Sequence, residues 1–318
     1  MSPAVEANGL VKTYTKGVRA LDDLSVSVRP GEVFALLGPN GAGKSTTIKI
    51  LTTLTRPDAG SVTVAGHDAL AHPQRVRRVI GVVAQRSGAD PAATGRANLV
   101  LHGRLYGLSG RQVRERVAAL IERFDLTEVA RRPVSTYSGG TQRRLDVALG
   151  LINRPQVLFL DEPTAGLDPQ ARTAMWAEIG RLAADEELAI LLTTHHLEEA
   201  DRLAQRVSIV DRGRIVVTGT PDRLKAELRG DAVHIELRDE PADGTAAHAL
   251  QSVRGVRDVT VAGRRLSARA DDGAAAVPGA LAALDRAGVP AATVTVARPS
   301  LDDVYLRYAG RRFEEEAS

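Results

Sequence analysis

Gly38-Pro39-Asn40-Gly41-Ala42-Gly43-Lys44-Ser45 fills every fixed position of the pattern G-x-x-x-x-G-K-[ST]. The chemistry that pattern serves is the binding of a nucleoside triphosphate. Phosphate oxygens need several donors close together. Gly38, Gly41 and Gly43 can take backbone conformations that turn successive N–H groups onto one anion. A following helix adds unpaired N–H groups and the positive end of its dipole. Lys44 is placed to reach the terminal phosphates as a point charge, and the Ser45 hydroxyl to ligate Mg²⁺, with Thr46 a weaker candidate.

Two carboxylates form a second constellation. Val157-Leu158-Phe159-Leu160 is an apolar run that ends in Asp161-Glu162. A buried strand of this kind delivers Asp161 to Mg²⁺ through water. A carboxylate at Glu162 can accept a proton from, or orient, the water that attacks a γ-phosphate. Ser138-Gly139-Gly140-Thr141 is a third group. A serine and two glycines at a helix start make a second anion site. Standing alone, the same residues would equally serve as a plain capping turn.

These groups need a scaffold, and the hydrophobic pattern supplies one. Val33-Phe34-Ala35-Leu36-Leu37 reads as a buried strand ahead of the glycine loop. Ser45 to Leu54 carries Ile48, Leu51 and Leu54 at helical spacing and is expected to be a helix. Leu24, Val26 and Val28 alternate with polar residues, a half-buried strand that turns at Pro30-Gly31. Ser61–Val64, Ile80–Val83, Ala189–Leu192 and Val207–Val210 read as further strands. Helical patterns between them point to an α/β fold with a parallel sheet. From about Ala93 to Ile152 the pattern is helical, with Val113, Val117, Leu120, Ile121 and Phe124 on one face. Asp211-Arg212-Gly213-Arg214 fits a hairpin turn into Ile215–Val217.

The length of 318 residues suits about two domains. Composition shifts near Gly230, and from Val233 the pattern reads βαββαβ, suggesting a small ferredoxin-like module. No cysteine is present, so disulfides and thiolate metal sites are excluded. No apolar run approaches the ~20 residues of a membrane helix. The N-terminus shows no signal peptide. A net charge of +3 and 3% aromatics give no footprint for nucleic acid.

The motifs, in this order, resemble the ABC ATPases, the nucleotide-binding subunits of ABC transporters. The resemblance covers the chain from its N-terminus to about Gly230. Gln85 matches the family's Q-loop, Tyr137-Ser138-Gly139-Gly140-Thr141 its signature loop and Val157–Glu162 its Walker B. Ala165-Gly166-Leu167-Asp168 resembles the D-loop and Thr194-His195 the switch histidine. Tyr14, in Lys12-Thr13-Tyr14, resembles the aromatic that stacks on adenine. The glycine loop and Walker B are generic to NTPases; the Ser-Gly-Gly signature specifies the ABC type. Tyr137 and Thr141 depart from the usual leucine and glutamine. His196 follows His195, so the match slips by one if His196 is taken; Leu191-Leu192-Thr193-Thr194 favours His195. The stretch Thr194–Asp201 and the C-terminal Pro299–Tyr305 resemble the daunorubicin/doxorubicin-resistance type of drug-exporter ATPase.

The resemblance implies an ABC ATPase domain at residues 1–230 with a helical subdomain at about 90–152. An accessory α+β domain at 231–312 and a disordered tail at 313–318 would follow. It implies ATP hydrolysis with ATP and Mg²⁺, catalysed by Glu162, His195 and Gln85. Nucleotide contacts would come from Tyr14, Gly38, Pro39, Asn40, Gly41, Ala42, Gly43, Lys44, Ser45 and Thr46. Ser138, Gly139, Gly140 and Asp168 would add theirs across a dimer of two copies. Ser45, Gln85 and Asp161 would serve the metal. Gln85 would also couple that site to a segment near Arg86–Leu105 that meets a separate transmembrane permease. The chain would then sit at the cytoplasmic face of the cell membrane and export hydrophobic compounds such as antibiotics. Lipid or polysaccharide export, or a non-transport role on ribosomes or DNA, are the alternatives.

Overall fold

The computed structural model describes residues 2–186, 188–228, 230–241 and 244–310. The chain divides between Pro221 and Asp222 into two compact units. The tail at 313–318, expected to be disordered, lies outside the described residues.

In the first unit the strands are β1 (Val5–Thr13), β2 (Arg19–Val28), β3 (Val33–Leu37), β4 (Ala59–Val64), β5 (His67–Asp68), β6 (Ile80–Val83), β7 (Val157–Asp161), β8 (Ala189–Thr194), β9 (Arg206–Asp211) and β10 (Arg214–Gly219). The helices are α1 (Lys44–Leu51), α2 (Pro73–Val79), α3 (Gly95–Leu105), α4 (Gly110–Arg123), α5 (Gly139–Gly150), α6 (Pro169–Glu186) and α7 (Leu197–Leu203). Two sheets result. One has the order β10-β9-β3-β8-β7-β6, parallel except for β10. The other, β2-β1-β4-β5, is antiparallel. The two periods explain the split. β3 is buried at all five positions, as a central parallel strand must be. β2 buries Leu24, Val26 and Val28 and exposes Ser25 and Ser27, a strand with one solvated face.

Register decides where the chemistry gathers. Leu37 lies beside Thr194, and Asp161 beside Thr193. The glycine loop after β3 and the carboxylates at the end of β7 therefore emerge at the same carboxyl edge of the sheet, on either side of β8. β9 and β10 form the expected hairpin. Arg212 and Gly213 both have positive φ, 47° and 78°, as its tight turn requires.

The helix after the glycine loop stops short of its expected end. It closes at Leu51, and Leu54 is 69% exposed. Thr53 takes a φ of 63°, and the N–H groups of Thr53 and Leu54 return to the carbonyls of Ile50 and Lys49. This paired closure caps the helix and turns Leu54 outward. Only Ile48 and Leu51 of the three apolar residues pack inward. The helical stretch expected from 93 to 152 resolves into α3, α4 and α5. Val113, Val117, Leu120, Ile121 and Phe124 form one buried face. A reciprocal cap between Ser109 and Gln112 starts α4.

Helix α8 (Pro221–Ala226) spans the division. The second unit then holds β11 (Asp231–Leu237), α9 (Thr245–Gln251), β12 (Val256–Ala262), β13 (Arg265–Ala270), α10 (Gly273–Arg286), β14 (Ala291–Ala297) and α11 (Leu301–Ala309). Its sheet order is β12-β13-β11-β14, antiparallel throughout. That is the ferredoxin-like arrangement of a βαββαβ chain. Val233, Ile235 and Leu237 of β11 pack with Ala246 and Leu250 of α9 and Ala280 and Leu284 of α10.

Candidate active site

A cavity of about 360 Å³ opens where β3 and β7 end. Ala20, Asn40, Gly41, Gly43, Lys44, Ser45, Thr46, Gln85 and Glu162 line it. The loop around it is glycine-rich for two different reasons. At Gly38 the reason is closeness: a Cβ would lie 2.4 Å from the Val210 carbonyl oxygen. At Gly43 the backbone itself demands glycine, with φ at 109°. Gly43 also forms the N-cap of α1, so the first N–H groups of that helix face the cavity.

Lys44 is 4% exposed. Its ammonium donates to the Gly38 and Pro39 carbonyls at 2.6 and 2.9 Å and lies 3.9 Å from Glu162 Oε1. Burial pushes its pKa down, opposed by the charges of Glu162 and Asp161. A buried cation held mainly by neutral carbonyls suits an arriving polyanion. Ser45 Oγ donates to Asp161 Oδ1 at 3.2 Å, and Thr193 Oγ1 to the same oxygen at 2.6 Å. A hydroxyl and a carboxylate this close suit a Mg²⁺ that keeps its other positions for phosphate and water. Among the described residues there is no group of three or more His, Cys, Asp or Glu side chains that could hold a metal by themselves.

Glu162 is the meeting point. It is 8% exposed, and its backbone is left-handed at φ 48°. Its N–H donates to both the carbonyl and Oγ1 of Thr193, each at 3.1 Å. Gln85 Nε2 donates to Glu162 Oε2 at 3.0 Å. His195 Nδ1 lies 3.2 Å from Glu162 Oε1 but out of line for a hydrogen bond, so this buried nitrogen has no hydrogen-bond partner. His196 instead begins α7, its N–H bound to Thr194 Oγ1, and its ring stands 4.1 Å from that of His195. Burial, then the neighbouring His195, pushes the His196 pKa down.

Tyr14 is 38% exposed, and its hydroxyl lies 3.5 Å from Thr46 Oγ1 on the cavity's lining. Ser138, Gly139, Gly140 and Asp168 stand outside the cavity. They form a second group. Ser138 caps α5 by accepting from Thr141 N–H, and Asp168 accepts from Ala171 N–H at the start of α6. A Cβ on Gly140 would come within 2.9 Å of Ala171 Cβ, so the two helix starts abut. Tyr137 is an anchor beside them: its hydroxyl donates to the Val129 carbonyl at 2.7 Å. Thr141 Oγ1 lies 2.8 Å from Ser138 Oγ.

Residues 21–165 match the ABC transporter family, and residues 219–309 match the ATP-binding protein DrrA1-3-like, C-terminal domain. A daunorubicin resistance ATP-binding protein of Streptomyces coeruleorubidus is 46% identical over 316 residues, 99% of each chain. The chain belongs to the ABC transporter ATP-binding family. As an ABC ATPase it binds and hydrolyses ATP. Two further relatives widen the comparison. A doxorubicin resistance ATP-binding protein of Mycobacterium tuberculosis is 46% identical over 95% of this chain and 92% of its own. A Nod factor export ATP-binding protein of Ralstonia nicotianae is 39% identical over 99% and 96%. Among solved structures, an ATP-binding subunit of an ABC transporter superposes with a TM-score of 0.63 at 30% identity, over 70% of this chain and 92% of that one. A dimeric ATP-binding cassette in a post-hydrolysis state, bound to ADP and Pi, gives 0.63 at 25% identity, over 68% and 98%.

Thr193 joins this candidate site without belonging to any of its motifs. Thr193 holds both Asp161 and the Glu162 backbone. Its signal was a hydroxyl at the end of an otherwise apolar strand, directly before the motif Thr194-His195.

Proposed function

We propose that the chain is the ATP-hydrolysing subunit of an exporter that clears hydrophobic, antibiotic-like compounds through a separate membrane chain. The convergence of Lys44, Gln85 and His195 on Glu162 carries the catalytic part of this reading. Glu162 takes the proton of the attacking water, and His195 holds it and the γ-phosphate in reacting geometry. The glycine loop and Lys44 bind the phosphates, and Tyr14 stacks on adenine. Ser45, Asp161 and Gln85 would hold Mg²⁺, which would supply neutralisation of the charge that develops.

The Ser138–Gly140 group lies outside the cavity of its own chain. That supports a pair of copies, each closing its signature loop over the nucleotide of the other. A dimeric cassette bound to ADP and Pi is among the structural neighbours. Among the described residues no helix is long and apolar enough to cross a membrane. Leu101, Leu105 and Tyr106, at 51%, 74% and 41% exposure, lie on and just after α3, beyond Gln85. This apolar face supports docking of a membrane permease, and with it a peripheral place at the membrane.

The drug-resistance relatives support an antibiotic cargo. The Nod factor export relative supports the second reading, a cargo of another class. Cells carrying the chain with its permease should accumulate less daunorubicin than cells carrying Glu162→Gln. Equal accumulation, with ATP hydrolysis intact in the wild type, would exclude drug export and favour the second reading.

A further inference from the structure

Gln85 and Glu162 belong to different segments, and one side chain reaches the backbone of both. Arg143 lies on α5, five residues beyond Ser138, and is 7% exposed. Its Nε donates to the Pro163 carbonyl at 2.6 Å and its Nη1 to the Ala84 carbonyl at 2.7 Å. Its Nη2 donates to the Asp161 and Glu162 carbonyls, each at 3.1 Å. One planar guanidinium thus ties the residue before Gln85 to three consecutive residues around Glu162. Asp146, on the next turn of α5, is 6% exposed and lies 4.0 Å from Arg143. It accepts from Ser87 Oγ at 2.6 Å. Helix α5 therefore grips the chain on both sides of Gln85, at Ala84 and at Ser87.

Burying these charges costs stability unless their hydrogen bonds are met. A buried ion pair is therefore weak as a source of stability. A rigid fork of donors is suited to something else, the fixing of several carbonyls in one plane. The left-handed turn at Glu162 is what needs fixing, because a non-glycine residue resists that conformation. Burial lowers the pKa of Arg143 and raises that of Asp146, and the charge of each opposes the shift of the other.

We propose that Arg143 and Asp146 are positioning residues for ATP hydrolysis. They hold Glu162 and Gln85 in register with the helix that begins at Ser138, so that these three parts of the site move as one. The proposal rests on the reading of Glu162 as the base.

Steady-state ATP hydrolysis by the full chain tests it, using Arg143→Lys, Glu162→Gln and the double variant. Arg143→Lys keeps the charge but cannot reach four carbonyls. Its kcat should fall about 10- to 100-fold, with the ATP KM changing less than about threefold. The double variant should be no slower than Glu162→Gln alone, because the effect acts through Glu162. A merely structural role would instead slow both backgrounds by the same factor, and that outcome overturns the proposal. So does a wild-type kcat in Arg143→Lys, or a rise in KM as large as the fall in kcat. Should Arg143→Lys fail to fold by circular dichroism, Asp146→Asn replaces it. Loss of at least about threefold in kcat at constant KM then supports the proposal, and an unchanged kcat overturns it. Wild-type turnover in Glu162→Gln would overturn the base assignment, a failure separate from that of the pair.

Discussion

The side-chain amide of Gln85 donates to Glu162 Oε2 across 3.0 Å, linking the second residue beyond β6 to the residue after β7. The link ties the proposed base to the segment that leads toward α3. The bond uses the amide nitrogen, so the amide oxygen is the atom that would serve a metal in the proposed site.

Gln85→Glu should make that relationship visible. It sets two carboxylates at hydrogen-bond distance, and such a pair retains a proton between them. At pH 7, kcat should fall about ten- to a hundredfold and recover as the pH rises. Gln85→Ala removes the contact without adding charge, and its pH–rate profile should keep the wild-type shape. Identical profiles for both variants would dismiss the contact as a contributor.

The two glycines of positive φ in the loop should differ in consequence. Gly43→Ala meets the Ala20 carbonyl at 2.6 Å and is strained at φ 109°. Gly41→Ala is strained at φ 81° but meets nothing within 4 Å. Strain of this kind costs about 1–3 kcal/mol. Gly43→Ala should weaken ATP binding the more, by at least about tenfold, since 1.4 kcal/mol corresponds to that factor. Titration with a fluorescent ATP analogue compares them.

Close helix–strand packing predicts a second contrast. A Cβ at Gly81 on β6 would stand 2.0 Å from the Gly150 carbonyl on α5. Gly180 in α6 has nothing within 4 Å. Gly81→Ala should destabilise the fold by about 1–3 kcal/mol through overpacking. Gly180→Ala should stabilise it by about 0.4–1 kcal/mol through reduced chain entropy. Urea unfolding of both variants against wild type reads the signs.

Glu199 gives a pH signature. It is 1% exposed, and burial raises its pKa above the ordinary 4.5, although Thr164 Oγ1 and Trp176 Nε1 donate to its Oε1. A carboxyl raised in the folded state contributes stability that is complete below its unfolded value and lost as pH rises through the folded one. Glu199→Gln does not titrate. Its melting temperature minus that of wild type should grow from about pH 4.5 upward until Glu199 is fully ionised. A difference constant across pH 5 to 8 would contradict this.

The parts of the fold carried by local rules were legible in the residues. β3, β7 and β8 are apolar runs too short for helices, and the β9–β10 turn needs its glycine. The ferredoxin-like order of the C-terminal unit followed from alternation of period. Helical spacing continues past Leu51 to Leu54, but a left-handed Thr53 ends the helix before it. The separate sheet of β1, β2, β4 and β5 was not legible, because pairing partners are chosen across long stretches of chain.

For the site, the sequence determined the chemical groups. A glycine loop with Lys44 and Ser45, the pair Asp161-Glu162 and the capped start at Ser138 are fixed by residue type and short spacing, since each rests on one turn of backbone. Tertiary structure alone decided which groups meet. Lys44, Gln85, Glu162 and His195 come from four separate segments, and parallel register among β3, β6, β7 and β8 brings the other three within about 4 Å of the Glu162 carboxylate. Ser138 and Asp168 meet instead at two abutting helix starts, outside the cavity of their own chain. Arg143 carried no motif signal, because its role lies in which carbonyls the fold brings to one guanidinium.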